Sequence, residues 1–145
     1  FIKGDVGSAQ LSLDHALEAA PQDTLPCTSE AELMYALERP DKGRPALDRA
    51  ESFVRSEHDR FLMGATYHML GNYDRALGWV EKINTEKFKA EAYRPDRAER
   101  VLQRLKEEIE QEKELGVERT PEDLKSEYAA DWIKRILSGG AKVAE

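Results

Sequence analysis

Apolar residues recur at spacings of three and four along most of this chain of 145 residues. Such spacing places them on one face of an α-helix, and no run of β-branched residues alternates with polar ones as in a half-buried strand. The pattern therefore predicts an all-α fold of seven helices without a sheet. The predicted ranges are 5–20, 28–37, 45–56, 58–71, 73–83, 95–115 and 121–137.

Turn and capping residues set the boundaries of these helices. Pro21 closes the first helix, and Asp23 and Pro26 indicate a loop over 22–27. The run of four residues from Pro40 to Gly43 is predicted to end the second helix, and Pro45 to open the third. Most of the chain should thus consist of short helices joined by tight turns.

The predicted helix 95–115 is longer and more highly charged than the others. Its apolar stripe consists of Ala98, Val101 or Leu102, Leu105 and Ile109. Beyond Ile109 the stripe fades into a run of charged residues. We expect the first half to pack on the preceding helices and the last turns to project into solvent unless a partner covers them.

Composition and charge exclude several classes of function. The net charge of −7 is spread over interleaved acids and bases, which disfavours binding to nucleic acid. No apolar run is long enough for a membrane span, which needs about 18 residues. Cys27 is the single cysteine, so no internal disulfide is expected, and the cytoplasm is the default compartment. The chain opens on Phe1 without an initiator Met, as if cut from something longer.

Candidate catalytic chemistry is sparse. His15, His58 and His68 do not stand at the spacings of a metal motif, and no phosphate-binding loop or nucleophile elbow occurs. We therefore expect no enzyme activity, no metal and no cofactor. An enzyme would require a catalytic domain outside this sequence. Trp79 is interpreted as a packing residue, and its neighbour Gly78 as a point where another helix approaches closely.

One segment carries a repeat motif. Residues 64–77, GATYHMLGNYDRAL, resemble the tetratricopeptide repeat, with small residues Gly64 and Ala76 where two helices cross. A similar second-helix pattern occupies 4–21, and a degenerate copy lies between. The crossing residues Ala9, Ala46 and Ala76 are 37 and 30 residues apart, against about 34 in the family. The resemblance implies a short solenoid over 1–93, followed by a C-terminal helical extension over 94–145.

The resemblance also implies a function. Tetratricopeptide arrays hold a partner segment in a concave groove lined by the first helix of each hairpin. The chain would then be a non-catalytic protein-interaction module whose partner is a protein or peptide. In this sequence the groove-facing places fall on Ala31, Tyr35, Glu38, Phe61, Ala65 and His68.

Within that implied groove, Phe61 and Tyr35 would be aromatic anchors for the partner segment, and His68 would be a titratable residue at the edge. Some family members bind a C-terminal carboxylate through Lys and Asn, but Phe61 and Ala65 occupy those places here, which disfavours that ligand. Two alternatives remain open. In the first, the two aromatic residues pack against an N-terminal helix missing from this sequence or against the chain's own C-terminal helices. In the second, the protein is a structural subunit that self-associates through its C-terminal helices.

Overall fold

The computed structural model describes His15 and residues 24–123. This part of the chain is helical and contains no strand, which confirms the all-α prediction there. Its complete helices are α1 (Thr24–Ala36), α2 (Pro40–Ser52), α3 (Glu57–Met69), α4 (Tyr73–Glu81), α5 (Thr85–Glu91) and α6 (Pro95–Leu115). Residues 121–123 are helical as well. The predicted helix 5–20, apart from His15, and most of 121–137 lie outside the described residues.

Several predicted boundaries are wrong. Of the loop predicted over 22–27, the described residues 24–27 are helical and belong to α1. Pro40 opens α2 instead of ending the preceding helix, since a proline in the first turn lacks only an N–H that would have no partner. The predicted start of this helix at Pro45 is therefore wrong, and Pro45 lies inside α2. Gly43 lies inside α2, where an added Cβ would come within 2.7 Å of the Tyr35 ring. This glycine therefore lets α1 and α2 approach closely.

Helix α5 is absent from the sequence prediction. It has seven residues, of which Phe88 alone is buried, so it shows no apolar periodicity. Its first turn is fixed by Asn84, whose side chain accepts a hydrogen bond of 3.0 Å from the Lys87 N–H. An asparagine cap and one buried aromatic residue are thus the local features that mark this helix.

The described helices form hairpins that stack in chain order. Helix α1 pairs with α2, α3 with α4, and α5 with α6. The first helices of successive hairpins are neighbours, because α1 packs on α3 and α3 on α5, and α4 packs on α6. One continuous apolar core runs through these hairpins, with Met63, Ala76 and Ile109 fully buried within it.

The crossing of α3 and α4 depends on small residues, as the sequence predicts. A Cβ on Gly64 would lie 2.8 Å from Val80 Cγ2, and Ala76 has no exposed surface. Gly78 behaves differently, since no described atom lies within 4 Å of the position of its missing Cβ. The described residues thus give Gly78 no close neighbour, contrary to its interpretation as a point of helix approach.

Helix α6 coincides with the predicted range 95–115 and ends at Gly116, which adopts a left-handed conformation with φ of 68°. Leu102, Leu105 and Ile109 face inward, whereas Val101 is 43% exposed. The predicted division of the chain at 93/94 falls between α5 and α6, which pack against each other. Among the described helices, none has both the length and the apolar character needed to cross a membrane.

Candidate functional site

An open groove of about 370 Å³ lies between α3, α5 and the first turns of α6. Phe61 and Phe88 line it, with their rings stacked at a centroid distance of 5.3 Å and an interplanar angle of 24°. Ala98 and Val101 of α6 contribute further apolar surface. We call this feature the apolar groove.

Reciprocal hydrogen bonds hold the helices that border the apolar groove. The Glu91 carboxylate, at the end of α5, accepts hydrogen bonds from the backbone N–H groups of Glu57 and His58, at 3.1 and 2.9 Å. In return the Glu57 carboxylate accepts one of 2.7 Å from the Asn84 N–H, at the start of α5. These contacts attach both ends of the short α5 to the first turn of α3.

The environment of Glu57 fits this structural role. The Asn84 N–H bond lowers the pKa of the Glu57 carboxyl, burial opposes that effect, and the ion pair with Arg60 adds to it. The net direction is downward, so the group stays ionised and keeps accepting its hydrogen bonds. Charge-assisted hydrogen bonds therefore hold together the helices α3 and α5 that border the groove.

Apolar side chains on the rim of the groove are unusually exposed. Tyr93, in the turn between α5 and α6, is 97% exposed, and Val101 is 43% exposed. Single exposed apolar residues are common on protein surfaces, but here two of them border one apolar depression. Such an arrangement is typical of an interaction surface.

Basic side chains complete the rim. Arg94 and Arg97 lie at the start of α6, and His58 lies on α3; all three line the groove and are exposed. Within the described part of the chain, no ion pair engages either guanidinium. The N-cap residue of α6, Arg94, makes no side-chain hydrogen bond to the first turn of the helix. The rim is thus positive in a chain whose net charge is −7.

The structure places one predicted partner-binding residue, Phe61, in the apolar groove. Tyr35 contacts α2 at Gly43, Ala65 packs on the core, and Glu38 is exposed in the turn after α1 with φ of 60°. Ala31 is fully buried, and His68 is 7% exposed, which leaves a partner little of either residue to contact. Partner binding by these other residues stays a prediction.

His68 belongs to a second cluster at the opposite end of α6. Its Nε2 lies 3.0 Å from Glu112 Oε2, and Glu112 Oε1 accepts a hydrogen bond of 2.9 Å from Arg119. The Tyr73 hydroxyl donates to the Val117 carbonyl at 2.7 Å. We call His68, Tyr73, Glu112 and Arg119 the polar clasp, because they attach the end of α6 to α3 and α4.

Charge balance within the polar clasp favours an ionised Glu112. Burial raises the pKa of this carboxyl, but hydrogen bonds from His68 and Arg119 outweigh burial and lower the pKa below its ordinary value. His68, Glu108 and Glu112 also offer ligand atoms within 4.8 Å of one another, a spacing that could suit a metal ion. Arg119 already supplies positive charge to Glu112, so the arrangement serves as an ion-pair network.

Several residues of the apolar groove escaped the sequence prediction. Phe88 lies in the unpredicted α5, and Tyr93, Arg94 and Arg97 surround the start of α6. The available signal was the run Tyr93-Arg94-Pro95, which places an aromatic and a basic residue directly before a helix-opening proline.

Comparison of the chain with protein-family models, curated proteins and solved structures gives no match.

Proposed function

We propose that the chain is a non-catalytic protein-interaction module of the tetratricopeptide kind, which holds a segment of a partner protein in the apolar groove. The observation that carries this proposal is the position of Phe61. The residue predicted as an aromatic anchor lines an open apolar groove, stacked on Phe88. Stacked hairpins and the tight Gly64–Ala76 crossing support the repeat assignment.

The groove has the properties that segment binding requires. Its aromatic lining offers a large contact area with few rotatable bonds, so little conformational entropy is lost when a partner binds. The exchange of hydrogen bonds between Glu57 and Glu91 holds α3 and α5 in place beforehand. A site that is already ordered spends less binding energy on its own organisation.

Site-specific photocrosslinking tests this function. A photoreactive amino acid replaces Tyr93, beside the groove, in the full chain expressed in the cells that naturally make the protein. The matched control places it at Leu115, which is also highly exposed, at 70%, but lies at the other end of α6. We expect adducts of discrete mass with another protein from position 93 and none from position 115.

A second substitution links such adducts to the groove. Val101→Glu places a charge on the apolar wall, and Leu115→Glu places the same charge outside it. The first variant should lose the adducts at position 93, while the second should keep them, with both variants folded by circular dichroism. Adducts consisting of two copies of this chain would instead favour the structural, self-associating subunit. Adducts that survive Val101→Glu would contradict a groove-bound partner.

A further inference from the structure

We infer that the occupant of the apolar groove is an acidic segment of a partner protein, in which Asp or Glu side chains flank a large apolar side chain. This inference rests on the function proposed above and adds the chemistry of the ligand. Two features of the same groove carry it: the exposed apolar surface between α3, α5 and α6, and the basic rim formed by Arg94, Arg97 and His58.

The apolar part of the ligand follows from the lining. Phe61, Phe88, Ala98 and Val101 leave a depression with little polar surface, where a large aliphatic or aromatic side chain would be removed from water. A purely polar segment would lose its water contacts there and gain no hydrogen bonds in return. The central contact of the ligand is therefore apolar.

The acidic part of the ligand follows from how charges are paired around the rim. Glu91 is engaged by the first turn of α3, Asp96 pairs with Arg100, and Glu99 pairs with Lys89. The nearby carboxylates thus have other partners in the described part of the chain. Arg94, the N-cap residue of α6, and Arg97, in its first turn, are left facing solvent beside an apolar surface.

Charge complementarity then selects the ligand. Arg49 and Arg75, by contrast, are paired with Glu30 and Glu51. Two exposed guanidinium groups beside an apolar groove attract carboxylates that flank the inserted side chain, and they repel a basic segment. Guanidinium also binds carboxylate in a defined planar geometry, so the rim would fix the orientation of the segment.

The test is a display selection of random 12-residue peptides on the immobilised full chain, counter-selected on Val101→Glu to remove peptides bound elsewhere. We expect enriched peptides to carry Asp or Glu within a few residues of Trp, Phe or Leu. Fluorescence anisotropy of the best peptide should give a Kd about tenfold higher for the double variant Arg94→Glu/Arg97→Glu, as expected for two surface ion pairs. The matched control Arg104→Glu/Lys106→Glu, exposed on the same helix, should leave Kd unchanged.

The outcomes separate this inference from the function on which it rests. Enriched apolar peptides without acids would overturn the acidic ligand and leave the binding function intact. If no enriched peptide requires Val101 for binding, both the acidic ligand and the binding function are contradicted. Trp132 is an aromatic residue of the predicted C-terminal helix 121–137. Binding that emerges only after Trp132→Ala would show that this segment of the chain is the occupant, which overturns a partner ligand. If light scattering shows a dimer that Arg94→Glu/Arg97→Glu converts to a monomer, the occupant is a second copy of this chain, which likewise overturns a partner ligand.

Discussion

The two ends of α6 differ in which kind of residue is exposed: an apolar residue is exposed near its start, and a charged residue is partly buried near its end. At its start, the apolar Val101 is 43% exposed beside Arg94 and Arg97. Near its end, the charged Glu112 is enclosed by His68 and Arg119, although its neighbours in sequence are charged. Sequence analysis predicts a packed first half, which the buried Ala98, Leu102 and Leu105 confirm, and solvated last turns, from which Glu112 departs. The spacing of apolar residues predicts which residues can be buried, whereas the lengths of the neighbouring elements determine which residues are covered.

Element lengths explain the difference. Helix α6 has 21 residues and spans about 30 Å, whereas its hairpin partner α5 has seven residues. Because the chain turns back between them, α5 lies beside the first turns of α6, where Lys89 pairs with Glu99 at 3.6 Å, and the later turns of α6 extend beyond it. The apolar groove lies between α3, α5 and these first turns. At the other end, residues after Gly116 turn back, so that Arg119 and the Val117 carbonyl reach Glu112 and Tyr73.

The largest expected effect compares two apolar residues of α6. Ile109 is fully buried, so Ile109→Ala should lower the free energy of unfolding by about 2–5 kcal/mol through lost contacts and a cavity. Val101→Ala, at the groove, should change it by less than about 0.5 kcal/mol, as is usual for surface positions. Urea unfolding followed by circular dichroism measures both. Equal losses would show that the groove is closed in solution.

The next effect concerns the polar clasp. Glu112→Gln removes the charge that His68 and Arg119 contact, and it should cost about 1 kcal/mol, since Glu112 is still partly exposed. Glu110→Gln makes the same chemical change at an exposed position two residues away and should cost almost nothing. If the two variants unfold at the same urea concentration, the end of α6 is a solvated projection, as the sequence pattern predicts.

The regular part of the fold could be predicted from sequence. The spacing of Ala98, Leu102, Leu105 and Ile109 identified the buried face of α6, and Gly64 with Ala76 identified a helix crossing, because periodicity and residue size are local properties. Helix α5 could not be predicted in this way, since seven residues with one buried side chain have no period. Pro40 was misinterpreted because proline ends one helix as readily as it opens the next.

The candidate site was predictable only in part. Phe61 was found through the repeat pattern, but Arg94 and Arg97 became candidates only when the structure placed them beside it. The polar clasp joins His68 to Arg119 across 51 residues, and no local pattern encodes that contact. Apolar spacing predicts burial well, whereas the pairing of charges depends on which elements meet.

Acid should weaken the polar clasp. The pKa of Glu112 is below the ordinary value of 4.5, so its contribution to stability is complete above that value and is lost as the pH falls through the lowered pKa. The difference in unfolding free energy between the wild type and Glu112→Gln should therefore shrink from about pH 4.5 downward. Urea unfolding of both proteins across this range measures it. A difference that does not shrink as the pH falls would mean that the carboxylate charge is not its cause.

The smallest expected effect is local and concerns the last turn of α6. The N–H groups of Gly116 and Val117 donate to the carbonyls of Lys113 and Glu112, which closes the helix, and Lys113 pairs with Asp74 of α4 at 2.5 Å. If the polar clasp holds this turn, amide exchange at Gly116 and Val117 should be about fivefold slower in the wild type than in Glu112→Gln, since about 1 kcal/mol of local stability is lost. Hydrogen exchange followed by NMR measures these amides. The amides of Phe88 and Lys89, next to the groove, serve as the internal control and should exchange alike in both proteins. Equal exchange at Gly116 in the two proteins would show that the backbone cap alone closes the helix, and that the contrast between the two ends of α6 does not depend on Glu112.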